Sequence, residues 1–388
     1  MRVAILYHRL FDPGRNQPLI GGIQSYLIAL AQLCVARGWV PRLYQYSAED
    51  FETRISGIPL LGVGTDARSV GERIRRVYQR ALADIHADRD LVIFGADHCS
   101  LRTDRHRAML IQHGVSWDLP TSEARPDLGW REPFIGGLVR QRQRRLAVHQ
   151  FENCRFRVCV DYNYLNWYRT QVDTPAPGRI WVIPNACDIP PAPPPRPQGT
   201  VSILFARRFF IYRGTRLMES AARRLLHECP QVQFTFAGDG PDEEWLRAAF
   251  AGEARVAFSR YTPDELSSVL ARHDIAVVPS IGSEGTSLAV AEAMASACAV
   301  VASGVGGIPG MIIDGYNGRL VQPDSGELLS ALRELVLDTR LREVLAQRGR
   351  ATALAAFSRE RWADQWHDAI AAVMADRATA LAPGAAGT

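Results

Sequence analysis

The sequence predicts an α/β protein of two domains, each a parallel sheet covered by helices. Short apolar runs typical of buried strands alternate with helical stretches along most of the 388 residues. A proline-rich segment, residues 189–199, separates two groups of these runs and predicts a semi-rigid connector. A chain of this length has room for two domains of ordinary size, each with its own core.

The predicted strands form two series. The first comprises residues 2–7, 91–95, 108–112, 156–160 and 180–183, and the second comprises residues 201–205, 232–237, 274–279 and 299–302. We therefore expect a first domain over residues 1–186 and a second over residues 187–356. Residues 357–376 predict a final helix with two tryptophans one turn apart, and the small-residue tail, residues 377–388, is expected to be disordered.

The charge pattern limits the classes of partner. All 45 basic residues are arginine, against 41 acidic residues, for a net charge of +4. The excess lies in the first half, since residues 1–183 hold 25 arginines and 18 acidic residues. This asymmetry favours an acidic or membrane-associated partner on the first domain, with an ordinary solvated surface as the alternative. We expect no nucleic-acid partner.

Cysteine usage and the chain start indicate the compartment. Seven cysteines without C-x-x-C pairs or histidine clusters predict a reducing environment and no structural zinc. The first residues form a strand pattern and not a signal peptide. The longest uncharged stretch, Ala293 to Ile313, is interrupted by five Gly or Pro residues, so it predicts a buried core segment and not a membrane span. These features predict a cytoplasmic protein.

The most informative segment places Glu284 and Glu292 around a small-residue turn that opens a helix. The turn follows the predicted strand 274–279, at the edge where open α/β sheets bind ligands. With Thr286 or Ser287 as N-cap, the first N–H groups of the helix offer donors to a phosphate.

The spacing of the two acids limits their chemistry. A helical rise puts their backbones roughly 12 Å apart. Glycosidase carboxylates lie about 5–9.5 Å apart, so a hydrolase pair is disfavoured. An extended nucleotide sugar, with an acid at each end, fits better. The alternative is a pair of ordinary helix acids.

Residues 284–294, EGTSLAVAEAM, resemble the signature segment of the retaining GT-B glycosyltransferases of family 4. Residues 300–303, 306–309 and 314–321 look like that family's next landmarks, in order. The resemblance is close over residues 200–325 and looser before them. It implies two Rossmann-like domains facing each other across a cleft, with the C-terminal helix crossing back to the first domain.

The resemblance also implies roles for individual residues. Glu284 would bind hydroxyls of the transferred sugar, and Glu292 would hold the ribose. Main-chain N–H groups from Gly285 to Leu288 would meet the diphosphate. Thr286 and Ser287 stand where many relatives have Phe-Gly, and their hydroxyls could add phosphate contacts.

Basic and aromatic residues of the second domain complete the predicted donor site. Arg208 and Arg213, five positions apart at a strand end, can grip a diphosphate and stabilise a departing nucleotide. In the family pattern, Arg213 takes the place of a lysine. Arg260 and Tyr261 stand where relatives meet the nucleotide base. A surface basic loop is the alternative for the two arginines.

The first domain offers further candidates. Gly21 and Gly22 precede a helix and allow the backbone close to a phosphate, although an ordinary helix-initiating turn explains them as well. His113 ends a predicted strand where the family often has a histidine near the reacting sugar, while a structural hydrogen bond is the alternative. Asp97 and Asp118 are weaker candidates for the acceptor side.

A basic segment of the first domain predicts a membrane contact. Arginines interleave with apolar residues over residues 134–157, a pattern that suits docking on anionic lipid near a lipid-linked acceptor. A solvated helix is the alternative. The arginines expected to make this contact are Arg140, Arg142, Arg144 and Arg145.

These observations predict a retaining hexosyltransferase, peripheral on the inner face of the cytoplasmic membrane. It would move a sugar from a UDP- or GDP-linked donor to a hydroxyl of a lipid-linked glycan in bacterial surface polysaccharide (lipopolysaccharide) synthesis. The alternatives are a small soluble acceptor and a non-catalytic sugar-nucleotide-binding module. Residues 88–90 imitate a metal-binding D-x-D motif but precede their strand, so no metal requirement is predicted.

Overall fold

The computed structural model of the protein describes residues 1–19, 21–103, 106–115, 117, 132–193 and 199–376. Its two large sheets are both covered by helices, which confirms the predicted α/β architecture. Each predicted strand is present to within one residue at either end. Strands such as Leu91–Phe94 and Phe156–Cys159 are buried throughout. Because helices cover both faces of such a sheet, its strands are continuous apolar runs without alternation.

The first sheet is built from the chain before residue 183. The strands of this part of the chain are β1 (Arg2–Leu6), β2 (Phe11–Asp12), β3 (Gln17–Pro18), β4 (Val40–Ser47), β5 (Phe51–Ile55), β6 (Ile58–Gly64), β7 (Leu91–Phe94), β8 (Ala108–Gln112), β9 (Phe156–Cys159) and β10 (Arg179–Val182). β2 and β3 form a separate antiparallel hairpin, and the other eight strands form the sheet. The order in the sheet is β10-β9-β8-β7-β1-β4-β6-β5. All neighbours are parallel except β5, which runs antiparallel to β6 at the edge.

Four described helices from the first half of the chain flank the first sheet. They are α1 (Gly22–Ala36), α2 (Val70–Leu82), α3 (Glu132–Phe151) and α4 (Tyr162–Gln171). The start of α4 is capped by Asp161, whose carboxylate accepts hydrogen bonds from the N–H groups of Asn163 and Tyr164.

The second sheet is entirely parallel. Its strands are β11 (Val201–Ala206), β12 (Val232–Ala237), β13 (Val256–Ser259), β14 (Ile275–Val278), β15 (Ala299–Ser303) and β16 (Arg319–Val321), in the order β13-β12-β11-β14-β15-β16. The accompanying helices are α5 (Thr215–Glu228), α6 (Glu243–Ala249), α7 (Leu266–Ala271), α8 (Leu288–Ala295), α9 (Ser325–Leu337) and α10 (Thr339–Ala356). The chain adds β12 and β13 on one side of β11 and then β14, β15 and β16 on the other, so the strand order changes direction between β11 and β14. Such switch points leave a crevice at the carboxyl ends of the strands.

The last helix, α11 (Arg359–Ala375), crosses back to the first domain as predicted. Trp362, Trp366 and Ile370 on this helix are buried in the same core as the residues of β1 and α1. Beside the crossing, the N–H of Cys187 donates to the carbonyl of Phe357 over 2.9 Å. The two chain segments that join the domains therefore run side by side.

The sequence prediction omitted several strands. It did not identify β4, β5, β6, β13 or β16. Proline and glycine are uncommon inside strands. β4 and β6 each contain a proline and β6 also contains two glycines, which explains why these two strands were not predicted. The tail 377–388 and residues 194–198 of the connector lie outside the described residues, as does Asp118.

Among the residues that the structure describes, no helix is long and apolar enough to cross a bilayer.

Candidate functional site

The turn between β14 and α8 holds the buried carboxylate of Glu284, which accepts hydrogen bonds from four side chains. Arg207 Nη2 and Arg213 Nη1 donate to Glu284 Oε1 over 2.6 and 2.7 Å. Ser287 Oγ donates to Glu284 Oε2 over 2.6 Å, and the hydroxyl of Ser280 also donates to this carboxylate. We call these five residues the Glu284 cluster. It lies at the switch point of the second sheet, where Arg207 follows β11 and Glu284 follows β14.

The electrostatics of this cluster fix the charge of Glu284. Burial alone would raise its pKa, but the guanidinium groups of Arg207 and Arg213, with the serine hydroxyls, lower the pKa to about 2. The carboxylate is therefore ionised at physiological pH. A carboxylate that accepts this many hydrogen bonds is suited to orienting hydroxyls and is a weak base.

The arginine pair differs from the prediction by one residue. Arg207, which is buried, joins Arg213 at Glu284 and also donates to Ser280 Oγ over 2.5 Å. Arg208 is exposed, and its guanidinium lies 4.7 Å from the ring centre of Phe210. The prediction placed Arg208 in the site because two adjacent arginines follow β11. Only the direction of the backbone past Ala206 decides which of them turns inward.

A glycine brings Arg213 against the end of β14. Gly214 has a φ of +83°, and a Cβ there would lie 1.8 Å from the carbonyl oxygen of Pro279. Any side chain at this position would separate the two segments. The N–H of Ile281 also donates to the carbonyl of Tyr212 over 3.0 Å, so the two loops are joined directly.

The helix begins at Leu288, and the segment before it differs from two expectations. Only the last four of the eight residue steps from Glu284 to Glu292 are helical, so the helical rise does not give the separation of the two acids. Ser287 is the N-cap, but its side chain makes no capping hydrogen bond and donates to Glu284 instead. The hydroxyl of Thr286 donates to the carbonyl of Val160. Both hydroxyls predicted for phosphate already have acceptors, and the first N–H groups of α8 are the donors left for an anion.

Glu292 lies on α8 beside two small pockets. It lines a cavity of about 70 Å³ together with Tyr261 and Ala289. It also lines an adjoining pocket of about 230 Å³ with Asp188 and Leu266. Burial and the nearby Asp188 raise the pKa of Glu292 to about 7, against the opposing effect of Arg359. We call this region the Glu292 pocket.

Arg260 and Tyr261, both predicted to contact the nucleotide base, point to different surroundings in the structure. Tyr261 faces the Glu292 pocket, and burial raises the pKa of its hydroxyl to about 12. Arg260 is exposed, and its guanidinium donates to Glu243 Oε2 over 3.1 Å. Tyr261 is therefore the member of the pair that the structure brings to Glu292.

His113 follows β8 and is held from two sides. Its Nε2 lies 2.8 Å from the carbonyl oxygen of Gly95, so this nitrogen carries the proton and donates. The ring of Tyr26 meets it edge-on at 5.4 Å, and the hydroxyl of Tyr26 accepts from Trp366 Nε1 of α11 over 2.8 Å. Burial lowers the pKa of His113 to about 4, so the ring is neutral.

His113 and Asp97 line one pocket of about 350 Å³, which we call the first-domain pocket. Its wall includes Leu146 of α3 and Ile23, the second residue of α1. Gly21 is the N-cap of α1 with extended backbone, and the space around Gly22 is open. The structure therefore places Gly21, Gly22, Asp97 and His113 on the same side of the first sheet.

The first-domain pocket adjoins the predicted membrane-contact helix. On α3, Arg142, Arg144 and Arg145 are exposed, whereas Arg140 is partly buried. Leu138 and Leu146 are also exposed, at 67% and 50%. Apolar and basic side chains thus share this surface.

The donor-side turn meets the first domain directly. A Cβ on Gly285 would lie 2.8 Å from the carbonyl oxygen of His113, so only glycine permits this approach. Asn185 Nδ2 donates to the carbonyl of Thr286 over 2.9 Å. Asp161, the cap of α4, has a buried Oδ2 with no partner among the described residues, and it faces Gly285.

Sequence reasoning missed Arg207, Asn185 and Asp161 as members of this region. Asn185 lies in the Ile-Pro-Asn segment after β10 and Asp161 directly follows β9, and such positions at strand ends are the signal that could have found them.

Comparison with known proteins agrees with this geometry. Residues 200–338 match the family model described as "Glycosyl transferases group 1". The sulfoquinovosyl transferase SQD2 of Arabidopsis thaliana is 34% identical over 152 residues, which cover 38% of this chain and 29% of that protein. An alpha-maltose-1-phosphate synthase of Mycobacterium tuberculosis is 31% identical over 219 residues, which cover 50% of this chain and 56% of that protein. The chain thus spans between about a third and about half the length of these relatives.

Solved structures match over nearly the whole chain. A sucrose-phosphate synthase from Thermosynechococcus elongatus superposes with a TM-score of 0.73 at 18% identity, covering 96% of this chain and 99% of that one. HepE of Anabaena, solved in complex with UDP, superposes with a TM-score of 0.69 at 19% identity, covering 96% and 100%. The chain therefore has the GT-B fold, and its second domain carries the match to group 1 glycosyl transferases.

Proposed function

We propose that this protein is a retaining glycosyltransferase that moves a sugar from a nucleotide-sugar donor to a hydroxyl acceptor. The observation that carries the proposal is the Glu284 cluster. An ionised carboxylate and two guanidinium groups converge at the switch point of the second sheet, where the first N–H groups of α8 begin. The family match over residues 200–338 supports this assignment.

The arrangement suggests how the donor lies. The Glu292 pocket takes the nucleoside, with the carboxylate of Glu292 accepting from ribose hydroxyls. The diphosphate meets the start of α8 and Arg213, whose side chain is 34% exposed. The sugar then reaches Glu284, which accepts from its hydroxyls, and His113 lies across the cleft. Arg207 holds Glu284 in place.

Bond cleavage requires the diphosphate to leave with the glycosidic oxygen. Arg213 and the α8 N–H groups stabilise the negative charge that develops there. Glu284 is already engaged by four donors, so we assign it to orientation and not to nucleophilic attack. Front-face attack by the acceptor hydroxyl, with its proton passing to the departing phosphate, accounts for retention.

We also propose that donor binding needs no divalent cation, because the guanidinium groups supply the positive charge. Thermal stabilisation by a nucleotide sugar should then be the same with and without EDTA. Loss of the stabilisation in EDTA would overturn this part of the proposal.

For the acceptor, we propose a lipid-linked glycan in bacterial surface polysaccharide synthesis, approached from the inner face of the cytoplasmic membrane. Exposed arginines and leucines on α3, next to the first-domain pocket, support this choice. Such a surface combines apolar contact with attraction to anionic lipid.

The donor assignment is tested by measuring thermal stabilisation with a panel of UDP-, GDP- and ADP-sugars. One donor class should stabilise the protein, and the anomeric configuration of the product, read by NMR, should be that of the donor. Stabilisation without slow donor hydrolysis would favour a non-catalytic sugar-nucleotide-binding module, and no stabilisation by any of these sugars would contradict donor binding at this site. An inverted product would overturn retention.

The acceptor assignment is tested by co-sedimentation with anionic vesicles. Replacing Arg140, Arg142, Arg144 and Arg145 with glutamine should abolish binding. A control that replaces the second-domain arginines Arg223, Arg224, Arg340 and Arg348 removes the same charge and should bind normally. Equal binding by both variants, or none by the unmodified protein, would favour a small soluble acceptor.

A further inference from the structure

Two histidines and a cysteine meet at the switch point of the first sheet. His8 follows β1, while His98 and Cys99 belong to a short 3-10 helix, Asp97–Cys99, that follows β7. β1 and β7 are parallel neighbours, with Leu6 opposite Phe94, so their carboxyl ends deliver these side chains to the same place. Sequence reasoning recorded no histidine cluster because His8 and His98 are 90 residues apart in the chain.

The three donor atoms lie at spacings close to those of a metal site. His98 Nε2 is 3.3 Å from His8 Nδ1, and Cys99 Sγ is 3.9 Å from His8 Nδ1. All three atoms lie within 4.8 Å of one another. Around a tetrahedral zinc ion with bonds of about 2.0–2.3 Å, donor atoms lie roughly 3.3–3.6 Å apart. Side-chain shifts of a few tenths of an ångström to about 1 Å would bring the three donor atoms to the distances of a tetrahedral zinc site.

Asp97 supplies an outer support of the kind found at metal-bound histidines. Its Oδ1 lies 3.7 Å from His98 Nδ1 and accepts a hydrogen bond from the His98 N–H over 2.8 Å. A carboxylate facing Nδ1 leaves Nε2 of the same ring for an ion. The ring of Tyr7 packs against His8 at 4.2 Å between centres, which restricts the other imidazole.

The three residues differ in how far they are buried. Cys99 is fully buried, His8 is partly buried, and the side chain of His98 is 43% exposed. His98 and Asp97 line the first-domain pocket together with His113. Three protein ligands with a fourth position open to a cavity is the arrangement of zinc sites that hold water or substrate.

From this geometry we propose that His8, His98 and Cys99 bind one divalent ion of the zinc class. Thiolate and imidazole ligands favour zinc over the hard ions magnesium and calcium. Cys99 binds as the thiolate and releases its proton to solvent. The fourth position faces the first-domain pocket, where it takes a water or a hydroxyl oxygen. The site is on the opposite domain from the Glu284 cluster, so it is independent of the proposed donor binding.

The test measures metal binding directly and uses the full chain after chelator treatment. Titration with ZnCl₂ by calorimetry should give one site per chain. Titration with CoCl₂ should give the thiolate-to-cobalt charge-transfer absorption and the intense visible bands of a tetrahedral ion.

Variants identify the ligands. Cys99→Ser and His98→Gln should each weaken zinc binding by about a hundredfold or more, and Asp97→Asn by about 10–100-fold. Cys154→Ser, which alters another buried thiol outside the cluster, should leave binding unchanged. His98 is the most exposed ligand, so His98→Gln decides the question if Cys99→Ser does not fold. The proposal fails if no ion binds, or if cobalt absorption persists unchanged in the folded His98→Gln protein.

Discussion

The two domains place their polar residues at the same point of the same kind of sheet, yet they hold them differently. In the second domain, Arg207 follows β11, Glu284 follows β14, and the carboxylate receives hydrogen bonds from two arginines and two serines. In the first domain, His113 is a neutral ring held by one hydrogen bond to a main-chain carbonyl. The charge in the second domain is therefore fixed before any ligand arrives.

This difference indicates that the two domains have different roles. Preorganised charge suits a diphosphate donor, whose shape is the same for every acceptor. The first domain offers a 350 Å³ pocket and an exposed basic helix, and its sequence lies outside the family match over residues 200–338. We infer that the second domain sets the donor chemistry and that the first sets what receives the sugar. Four experiments test this difference between the two domains.

Glu284→Gln should reduce both activity and stability more than any other single change considered. The amide keeps the shape but leaves Arg207 and Arg213 without a counter-charge, and Arg207 is buried. We expect kcat to fall by about a hundredfold to a thousandfold. The free energy of unfolding should fall by about 3–5 kcal/mol. Initial rates and urea denaturation measure the two effects.

The matched control for this change is Glu253→Gln. It breaks a pair with Arg255 in which both side chains are about a third exposed. Solvent screens such a surface pair and it contributes little to stability, so rate and stability should stay close to normal. If Glu284→Gln behaved like this control, the donor site would lie elsewhere.

Two adjacent arginines provide the second test. Arg207→Gln removes a buried partner of Glu284 and should reduce kcat/KM by about a hundredfold. Arg208→Gln removes an exposed side chain that lies over Phe210 and should change kcat/KM by less than about threefold. The reverse order would restore the role that the sequence predicted for Arg208.

The third test uses the pKa of Glu292, which lies near 7. Its ionised form accepts from ribose hydroxyls, so affinity should increase as the pH rises through 7. At pH 6 only about a tenth of the carboxylate is ionised, so donor affinity should be about tenfold weaker than at pH 8.

Calorimetry with an intact nucleotide sugar measures this dependence without interference from a terminal phosphate, which titrates near pH 6. Glu292→Gln should bind weakly at both pH values. A variant that kept the full pH dependence would show that another group titrates.

A weaker dependence on pH is expected from His113 in the first domain. Burial lowers the pKa of His113 from 6.5 to about 4, so the unfolded chain binds the proton more readily between these values. Stability from the neutral ring is present above pH 6.5 and is lost as the pH falls towards 4. Between pH 7 and pH 5 this loss should reach about 1–2 kcal/mol.

Urea denaturation of the unmodified protein and of His113→Gln at the two pH values measures this term. The variant should lose less stability on acidification. His227→Gln alters an exposed histidine of α5, and this variant should lose as much stability between pH 7 and pH 5 as the unmodified protein. Identical pH dependence in all three proteins would contradict a neutral, buried His113.

Much of the site could be anticipated because its signals are local. The strand before Glu284 and the start of α8 were predicted from short segments, and Glu284, Glu292, Arg213 and Tyr261 were proposed as site residues from short segments as well. Errors arose where a side chain could turn either way. Arg207 and Arg208 are neighbours, and the hydroxyls of Thr286 and Ser287 had acceptors that only the folded chain supplies.

Local sequence patterns were sufficient to predict two parallel sheets, the strand ends expected to bind ligands and acidic and basic residues close to those ends. These depend on hydrophobic periodicity and on residues close together in the chain. The contact partners of these residues follow only from the folded chain, because Arg207 contacts Glu284 across 77 residues and His8 contacts His98 across 90. Contacts of that range depend on the order of strands in a sheet, and no local pattern records that order.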